Sequence, residues 1–328
     1  MSSEKNYWFK ERSNPLMVDV YLKPTVQIPV NKDWSKRPCT ITKYFSENIE
    51  NILNFEVRND DVFVVTSPKC GTTWMQEMAW LVINDFNFEE FESKNLLLER
   101  SPYLEFSELI PGNKNRYNSL EIARALKSPR LIKSHLPAHL LPYGIWQNKL
   151  KIIYVARDFK DATVSAYHHL RGLGILGGSL EEFCEKTMKG DVSFQPFWSH
   201  VLEFYEMRHE SNIFFMTFEM MKKDLRTVIV RLCKFLEKEV PDERTLQEAE
   251  KRLSFEYMKK SVTKGMDVIN DKLPNKRDDL EFCRKGEVGT AKKELSLDMI
   301  TKMDEWSETF IPQKNLLDIF LKEFNSYL

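Results

Sequence analysis

The chain has 328 residues, of which 42% are hydrophobic, and a formal net charge of −1. This composition can bury a substantial core, and the near-zero charge excludes the basic footprint typical of nucleic-acid-binding proteins. The five cysteines are dispersed without any C-x-x-C pair, which argues against a disulfide framework and a zinc site. No signal peptide is recognisable, and no run approaches a membrane-spanning length, so we expect a cytoplasmic protein without membrane insertion.

Four short apolar runs predict strands. They are rich in β-branched and aromatic residues and lie at 61–66, 130–133, 150–156 and 212–218. Continuous apolar runs are typical of strands buried on both faces of a parallel sheet. Helix-like stretches lie between and after them, at 72–84, 180–188, 197–209, 225–238 and 242–253. This alternation predicts an α/β fold with a central parallel sheet flanked by helices.

The chain contains no linker, repeat or low-complexity tract, which predicts a single domain over residues 1–328. Roughly the first 40 residues are predicted to form an extended arm, and the long polar segment 263–291 is predicted to be a lid loop.

The ligand site of such a sheet lies beyond the carboxyl ends of its strands. Four segments follow the predicted strands there: SPKCGTTW, SHLP, RDFKD and EMMKKD. We therefore expect one edge of the sheet to gather four basic residues, Lys69, Lys133, His135 and Arg157.

The segment SPKCGTTW at 67–74 resembles a phosphate-binding loop but departs from G-x-x-x-x-G-K-[ST], because its lysine precedes its single glycine. A loop that leads into a helix presents free backbone N–H groups to an anion. Gly71 allows a close approach, Thr72 and Thr73 add hydroxyl donors, and Lys69 adds a charge. The alternative is an ordinary strand-to-helix turn with a solvated lysine.

Three further groups of residues suit anion binding or proton transfer. Lys133 and His135 alternate at a strand end and so share a face, where the histidine can accept a proton from a hydroxyl. Arg157 and Ser165 can hold a phosphate, although Arg157 and Asp158 can instead form a structural ion pair. The predicted lid adds the basic turn Arg284, Lys285 and Gly286, whose alternative role is a solvated loop.

Taken together, these motifs resemble the cytosolic sulfotransferases, which transfer a sulfonate from 3′-phosphoadenosine 5′-phosphosulfate (PAPS) to a small acceptor and leave the nucleotide product PAP. The matching segments occur in the order of the family: TSPKCGTTW, LIKSHLP, YVARDFKDATVSAYH, GDVSFQPFWSHV and RKG. The resemblance extends from about residue 40 to the C-terminus and makes the first segment a P-loop-like phosphosulfate-binding loop.

The resemblance implies a role for each matching residue. The 5′-phosphosulfate would be held by Lys69, Cys70, Gly71, Thr72 and Thr73. The 3′-phosphate would be held by Arg157, Ser165, Arg284, Lys285 and Gly286. The adenine would lie against Trp74, Phe218, Ser254, Phe255 and Met258. His135 would be the general base, with Lys69, Lys133 and Ser165 as the other catalytic residues and no metal.

The sequence departs from the family pattern at three positions, with Phe218 for a common tyrosine, Leu253 for a threonine and Ala291 for a tryptophan. The segment 292–301 matches the family's dimerisation motif only weakly, so a homodimer is a weak expectation. Cys70 lies at a helix N-terminus beside a lysine, where a thiol can have a lowered pKa and be oxidised. Its alternative role is that of a small residue that contributes only its backbone N–H.

The expected acceptor is a small lipophilic phenol, steroid or other alcohol, or an amine. Tyr103 and Phe106, in a segment similar to the family's acceptor gate, are candidate pocket walls together with His135. Two alternatives stay within the family: dehydration of an allylic alcohol such as a retinoid, and binding without turnover. A nucleotide kinase would require a lysine after the glycine, and a Golgi carbohydrate sulfotransferase would require an N-terminal anchor. Neither feature is present in the sequence.

Overall fold

A computed structural model describes residues 5–93, 97–109, 117–261, 277, 281 and 283–311. Near the N-terminus, three strands form an antiparallel sheet in the order β1 (Tyr7–Glu11), β2 (Met17–Leu22) and β3 (Cys39–Thr42). The segment expected to be an extended arm therefore contains paired strands. Val20 and Leu22 lie on the same face of β2, and both side chains are fully buried in the core.

The central sheet has four strands in the order β5-β4-β6-β7. They are β4 (Val62–Val65), β5 (Leu131–Ser134), β6 (Lys151–Ala156) and β7 (Ile213–Thr217). Strand β4 pairs in parallel with both neighbours, and Val62 faces Leu131 on one side and Lys151 on the other. All four residues of β4 are buried, as their continuous apolar pattern predicts. The prediction of a parallel α/β sheet flanked by helices is confirmed.

The helices of the described residues include all five predicted ones, with ends that agree to within a few residues. In chain order they are α1 (Lys43–Leu53), α2 (Thr72–Ile83), α3 (Phe88–Ser93), α4 (Leu97–Arg100), α5 (Phe106–Leu109), α6 (Ser119–Ala125), α7 (Tyr143–Gln147), α8 (Phe159–Gly172), α9 (Leu180–Met188), α10 (Phe197–Glu206), α11 (Phe218–Lys223), α12 (Leu225–Phe235), α13 (Glu243–Arg252), α14 (described over 255–261), α15 (Ala291–Glu294) and α16 (Leu297–Glu308). Short 3₁₀ turns occur at Trp34–Lys36 and Ala138–Leu140.

Side-chain caps begin many of these helices. The side chains of Asp158, Asp224 and Asp242 each accept a hydrogen bond from one backbone N–H in the first turn of α8, α12 and α13, respectively. Helix α9 begins with a reciprocal capping box, in which Ser179 Oγ accepts from the Glu182 N–H and Glu182 accepts from the Ser179 N–H. The sequence predicted this helix start from the serine and the glutamates that follow it.

The chain divides into two compact units that interleave along the sequence. The first comprises Met1–Ser67, Ser101–Tyr154 and Lys186–Phe215, and the second Pro68–Arg100, Val155–Glu185 and Met216–Leu328. The core of the first includes a buried ion pair, with Arg130 Nη2 2.6 Å from Asp61 Oδ2. The core of the second includes a similar pair, with Arg100 Nη2 2.8 Å from Glu77 Oε2. A single domain over residues 1–328 stays a prediction.

The predicted lid at 263–291 falls mostly outside the described residues. Its last part, 283–291, is described and includes the basic turn.

Candidate active site

The loop that follows β4 has an unusual backbone. Lys69 and Gly71 both lie in the left-handed region, with φ of 65° and 95°. A Cβ atom at Gly71 would lie 2.8 Å from Cδ2 of Phe218, so the loop needs glycine both for its conformation and for space. Helix α2 begins at Thr72 immediately afterwards and leaves its first N–H groups directed into the loop. The loop thus has the geometry of an anion site.

Arg157 follows β6 and is bonded to the same loop. Its Nη1 donates to the carbonyl oxygen of Lys69 at 3.1 Å, and its Nη2 donates to the carbonyl oxygen of Glu287 at 3.1 Å. The guanidinium also lies 4.2 Å from the ring centroid of Phe218. Its ion pair is with Asp161, at 3.8 Å, and not with Asp158. The structure therefore brings together the Lys69 loop, Arg157 and residue 287 of the predicted lid.

Cys70 is completely buried within this loop. Burial raises the pKa of its thiol well above the ordinary value, and the nearby Arg157 only partly opposes this effect. The predicted alternative of a lowered pKa at Cys70 is wrong, because loss of solvation outweighs the helix N-terminus and the neighbouring cations. Cys70 therefore acts here as a small buried residue.

Aromatic side chains lie beside the loop, where the resemblance implies an adenine. Trp74 and Phe218 meet edge to face with their centroids 5.7 Å apart, and Lys222 Nζ lies 5.7 Å from the Trp74 ring. Phe255 packs against Gly286, since a Cβ there would lie 2.3 Å from Phe255 Cδ2. These rings offer flat apolar surfaces to a base.

Three other predicted nucleotide residues have distinct surroundings. Met258 is buried, and Ser165 is half-buried on α8. Ser254 caps α14, since its Oγ accepts from the Tyr257 N–H at 3.3 Å. The Ser254 hydroxyl therefore acts as a helix cap in the structure.

The basic turn of the predicted lid is bonded to a carboxylate. Glu294 Oε1 accepts from Arg284 Nη1 at 2.5 Å and from Lys285 Nζ at 2.8 Å, and Oε2 lies 2.6 Å from His168 Nε2. Burial acts to raise the pKa of Glu294, but the hydrogen bonds from Lys285, Arg284 and His168 outweigh it and bring the pKa to about 2. We call these four residues the Glu294 cluster.

Asp161 fixes the backbone between this turn and α15. Its carboxylate accepts from the N–H groups of Gly289 at 2.7 Å and Ala291 at 2.8 Å, and from the Thr290 hydroxyl at 3.2 Å. Asp161 is only 1% exposed, so these bonds are shielded from water. The segment 289–291 is thus anchored to α8.

His135, in the first unit, has a defined tautomer. Its Nδ1 lies 2.8 Å from the carbonyl oxygen of Thr66 and 3.2 Å from the Thr66 hydroxyl. A carbonyl oxygen can only accept, so Nδ1 carries a proton, and in the neutral ring Nε2 is the basic nitrogen. This is the form that a general base requires.

The backbone of His135 is held from both sides. Its N–H donates to Glu105 Oε1 at 2.6 Å, and its carbonyl accepts from His200 Nε2 at 3.1 Å. His200 in turn accepts from the Tyr154 hydroxyl at Nδ1, 2.8 Å away. Burial lowers the pKa of His200 to about 4, which keeps its ring neutral at pH 7. The backbone of His135 is therefore held by Glu105 and His200, and its imidazole by Thr66.

Lys133 lies on the same side as His135, as their alternation predicts. Its Nζ lies 4.2 Å from the Tyr103 ring centroid, and the His135 ring meets Tyr103 edge to face at 5.0 Å. Burial lowers the pKa of Lys133 to about 8, although the carboxylate of Glu105 opposes the shift. Burial likewise raises the pKa of Glu105 to about 7. Lys133 is thus a cation that loses its proton close to neutral pH.

The predicted pocket walls surround this histidine. Phe106 packs against Tyr103 at 5.7 Å, and Phe194 meets the His135 ring edge to face at 5.8 Å. The Lys133 N–H donates to the carbonyl of Pro102, and the Leu104 N–H donates to the carbonyl of Lys133. The segment that carries Tyr103 therefore runs beside β5 like a short additional strand.

The chain matches known proteins over most of its length. A family model described as a sulfotransferase domain covers residues 59–318. The chain belongs to the sulfotransferase family. It is 36% identical to luciferin sulfotransferase of Photinus pyralis over 80% of this chain and 74% of that protein. It is also 36% identical to sulfotransferase 1 family member D1 of Rattus norvegicus, over 79% of this chain and 86% of the relative.

Among solved structures, the sulfotransferase chain is similar to retinol dehydratase in complex with androsterone and the inactive cofactor PAP. The TM-score is 0.80 at 25% identity, over 93% of this chain and 96% of the other. The family and α/β fold predicted from the motifs are confirmed, and so is the class of enzyme, a PAPS-dependent sulfotransferase.

Sequence reasoning missed several residues of this sulfotransferase site. Glu105 and Phe194 lie inside segments that match the family. No pattern in the local sequence, however, indicates that the Glu105 side chain bonds the backbone of His135. His200 lies in the matched segment GDVSFQPFWSHV, but no local pattern indicates that its ring bonds the His135 carbonyl. Glu294 lies in the segment 292–301, where the only resemblance is the weak one to the dimerisation motif, so the sequence gives no sign of its bonds to Arg284 and Lys285.

Two features are absent from the described part of the chain. No helix there is long and apolar enough to cross a membrane. No group of three or more histidine, cysteine, aspartate or glutamate side chains there is arranged to hold a metal ion.

Proposed function

We propose that the protein transfers a sulfonate from PAPS to the hydroxyl of a small lipophilic acceptor, with His135 as the general base. The observation that carries this proposal is the hydrogen bond from His135 Nδ1 to the Thr66 carbonyl, 2.8 Å long. With the Nδ1 proton directed at this carbonyl, Nε2 is the nitrogen that would take the hydroxyl proton as the oxygen attacks sulfur. The sulfur–oxygen bond to the nucleotide then breaks, and PAP leaves.

The donor side of this reaction consists of the Lys69 loop, the start of α2 and the basic residues bonded near them. In-line displacement spreads negative charge over the sulfonate and the leaving phosphate, so fixed cations and backbone N–H groups stabilise the transition state. The Lys69 loop and the start of α2 would hold the phosphosulfate, and Lys69 would neutralise the leaving oxygen. Arg157, Ser165, Arg284, Lys285 and Gly286 would hold the 3′-phosphate.

The acceptor side consists of the aromatic rings beside His135. Tyr103, Phe106 and Phe194 offer apolar surface, and Lys133 would stabilise the sulfonate in flight. Relatives point to the same class of acceptor, since one is named for luciferin and a similar structure holds androsterone. A phenol, a steroid or another lipophilic alcohol therefore suits this side best.

A second candidate function is dehydration of an allylic alcohol through its sulfonate ester. The observation that favours it is the TM-score of 0.78 with retinol dehydratase in complex with retinol and PAP. The ester forms by the same transfer step, and loss of sulfate together with a proton from the carbon chain then gives the alkene.

The test is to incubate the purified protein with PAPS and a panel of phenols, steroids and retinoids, and to measure product masses. We expect at least one acceptor to gain a sulfonate. A product that has lost water, with free sulfate, would instead support the dehydratase function. Intact PAPS with every acceptor would contradict both and favour a protein that binds without turnover.

We also infer a location in the cytoplasm, which the relationship to cytosolic sulfotransferases supports. A homodimer stays a prediction: the weakly matching segment 292–301 lies in α15, α16 and the turn between them. Sedimentation of the purified protein would measure its oligomeric state.

A further inference from the structure

The Glu294 cluster places a carboxylate on donors that we assign to the 3′-phosphate of PAPS. Arg284 and Lys285 both donate to a single oxygen of Glu294, and His168 bonds the other. In the proposed function, Arg284 and Lys285 bind the 3′-phosphate. These two cations can therefore bind either of two anions, the 3′-phosphate of the nucleotide or the Glu294 carboxylate.

The position of Glu294 is set by an anchored backbone. It is the last residue of α15, whose first residue, Ala291, donates its N–H to Asp161 of α8. His168 lies on the same helix α8. The Glu294 side chain is 17% exposed, so its ion pairs are screened less than those of an exposed glutamate. The Ala291–Asp161 bond and the His168–Glu294 bond thus hold the carboxylate beside the two cations.

We propose that Glu294 is an internal competitor of the 3′-phosphate, which holds Arg284 and Lys285 in the nucleotide-free protein and yields them when PAPS or PAP binds. The inference rests on the proposed function. The exchange leaves Glu294 bonded to His168 while the two cations turn to the phosphate. Glu294 thereby weakens nucleotide affinity and favours release of PAP.

The physical reason is a difference between two anions at the same donors. A phosphate monoester carries more charge and more acceptor oxygens than a carboxylate, so it wins the exchange. The work of separating Glu294 from its cations is nevertheless subtracted from the binding free energy, because only the separated state accepts the phosphate. A neutral glutamine would hold the cations less strongly.

The test is the affinity of Glu294→Gln for two nucleotides, measured by titration calorimetry. PAP has the 3′-phosphate and adenosine 5′-phosphate lacks it. We expect the substitution to tighten PAP binding about fivefold or more, since two partly exposed ion pairs are lost. Affinity for adenosine 5′-phosphate should stay unchanged.

Glu287→Gln is the matched control. Glu287 belongs to the same segment and pairs with Lys293 at 3.0 Å, outside the Glu294 cluster. Its substitution removes the same charge, so an equal gain in PAP affinity would show a general electrostatic effect and would overturn the proposal.

Unchanged or weaker PAP binding by folded Glu294→Gln would also overturn it. If the wild-type protein bound PAP no more tightly than adenosine 5′-phosphate, the assignment of the 3′-phosphate donors would fail instead. Should Glu294→Gln not fold, Glu294→Asp retracts the carboxylate by one methylene and should shift PAP affinity in the same direction. No shift in that variant would count against the proposal.

Discussion

At the scale of single residues, the chemistry depends on His135 and its fixed tautomer. His135→Ala should lower kcat about a hundredfold or more, because general-base catalysis contributes that much when the base is well placed. His209→Ala is the matched control, since His209 is exposed and belongs to none of the site segments. Near-normal kcat in folded His135→Ala would remove the histidine from its proposed role.

Lys69 gives a second test at this scale. Lys69→Met keeps the length of the side chain and removes its charge, so kcat should fall about a hundredfold, as for loss of one donor to a developing anion. The substitution leaves a non-glycine residue at φ 65°, so the backbone conformation is not relieved. A fall in kcat with unchanged PAP affinity would locate the effect in the transition state, whereas an unchanged kcat would contradict the role.

The pKa of Lys133 predicts a pH dependence. Burial lowers this pKa to about 8, so the ammonium is charged below that pH and neutral above it. If the cation stabilises the sulfonate, kcat should fall as the pH rises through about 8. Lys133→Arg keeps its charge, because a guanidinium stays protonated throughout this range. We expect its alkaline limb to move to higher pH; an unmoved limb would contradict the assignment.

At the scale of elements, the turn between β4 and α2 positions the donor. Gly71→Ala places a Cβ 2.8 Å from Phe218 at a φ of 95°. The strain should lower the free energy of unfolding by about 1–3 kcal/mol and weaken PAP binding. Gly177→Ala is the control, because a Cβ there meets nothing within 4 Å. Equal effects of the two substitutions in denaturant titrations would contradict the special geometry of Gly71.

The elements were also the part of the fold that the sequence predicted best. The four strands of the central sheet lie within one residue of their predicted ends, because buried parallel strands have continuous apolar runs bounded by polar residues. The N-terminal strands were missed: β1 (YWFKE) has four exposed residues out of five, and no alternation of apolar and polar residues marks it as a strand. Its strand conformation comes from pairing with β2.

Site residues that follow a strand could be predicted from the sequence, whereas contacts between residues far apart in the chain could not. Lys69, His135 and Arg157 each come directly after a strand, so topology indicated them. The bond between Glu105 and His135 joins residues 30 positions apart, and that between His168 and Glu294 joins residues 126 apart. Such pairs depend on tertiary packing, which no local pattern encodes. Burial likewise reversed the expected pKa shift of Cys70.

At the scale of the whole molecule, family and chemistry agree. The sulfotransferase model covers residues 59–318, and the described residues include a tautomer-defined histidine and a lysine-bearing anion loop. Transfer needs both an activated hydroxyl and a stabilised leaving group, so both the histidine and the loop are required. The function is thus a property of the chain as a whole.

The most direct test of PAPS-dependent transfer is to quantify PAP and sulfonated acceptor in the same reaction, with PAPS and the best acceptor from the panel. We expect the two products in equal amounts, at a rate that rises with enzyme concentration. Bound PAPS that yields neither PAP nor sulfonated acceptor would contradict the proposed function.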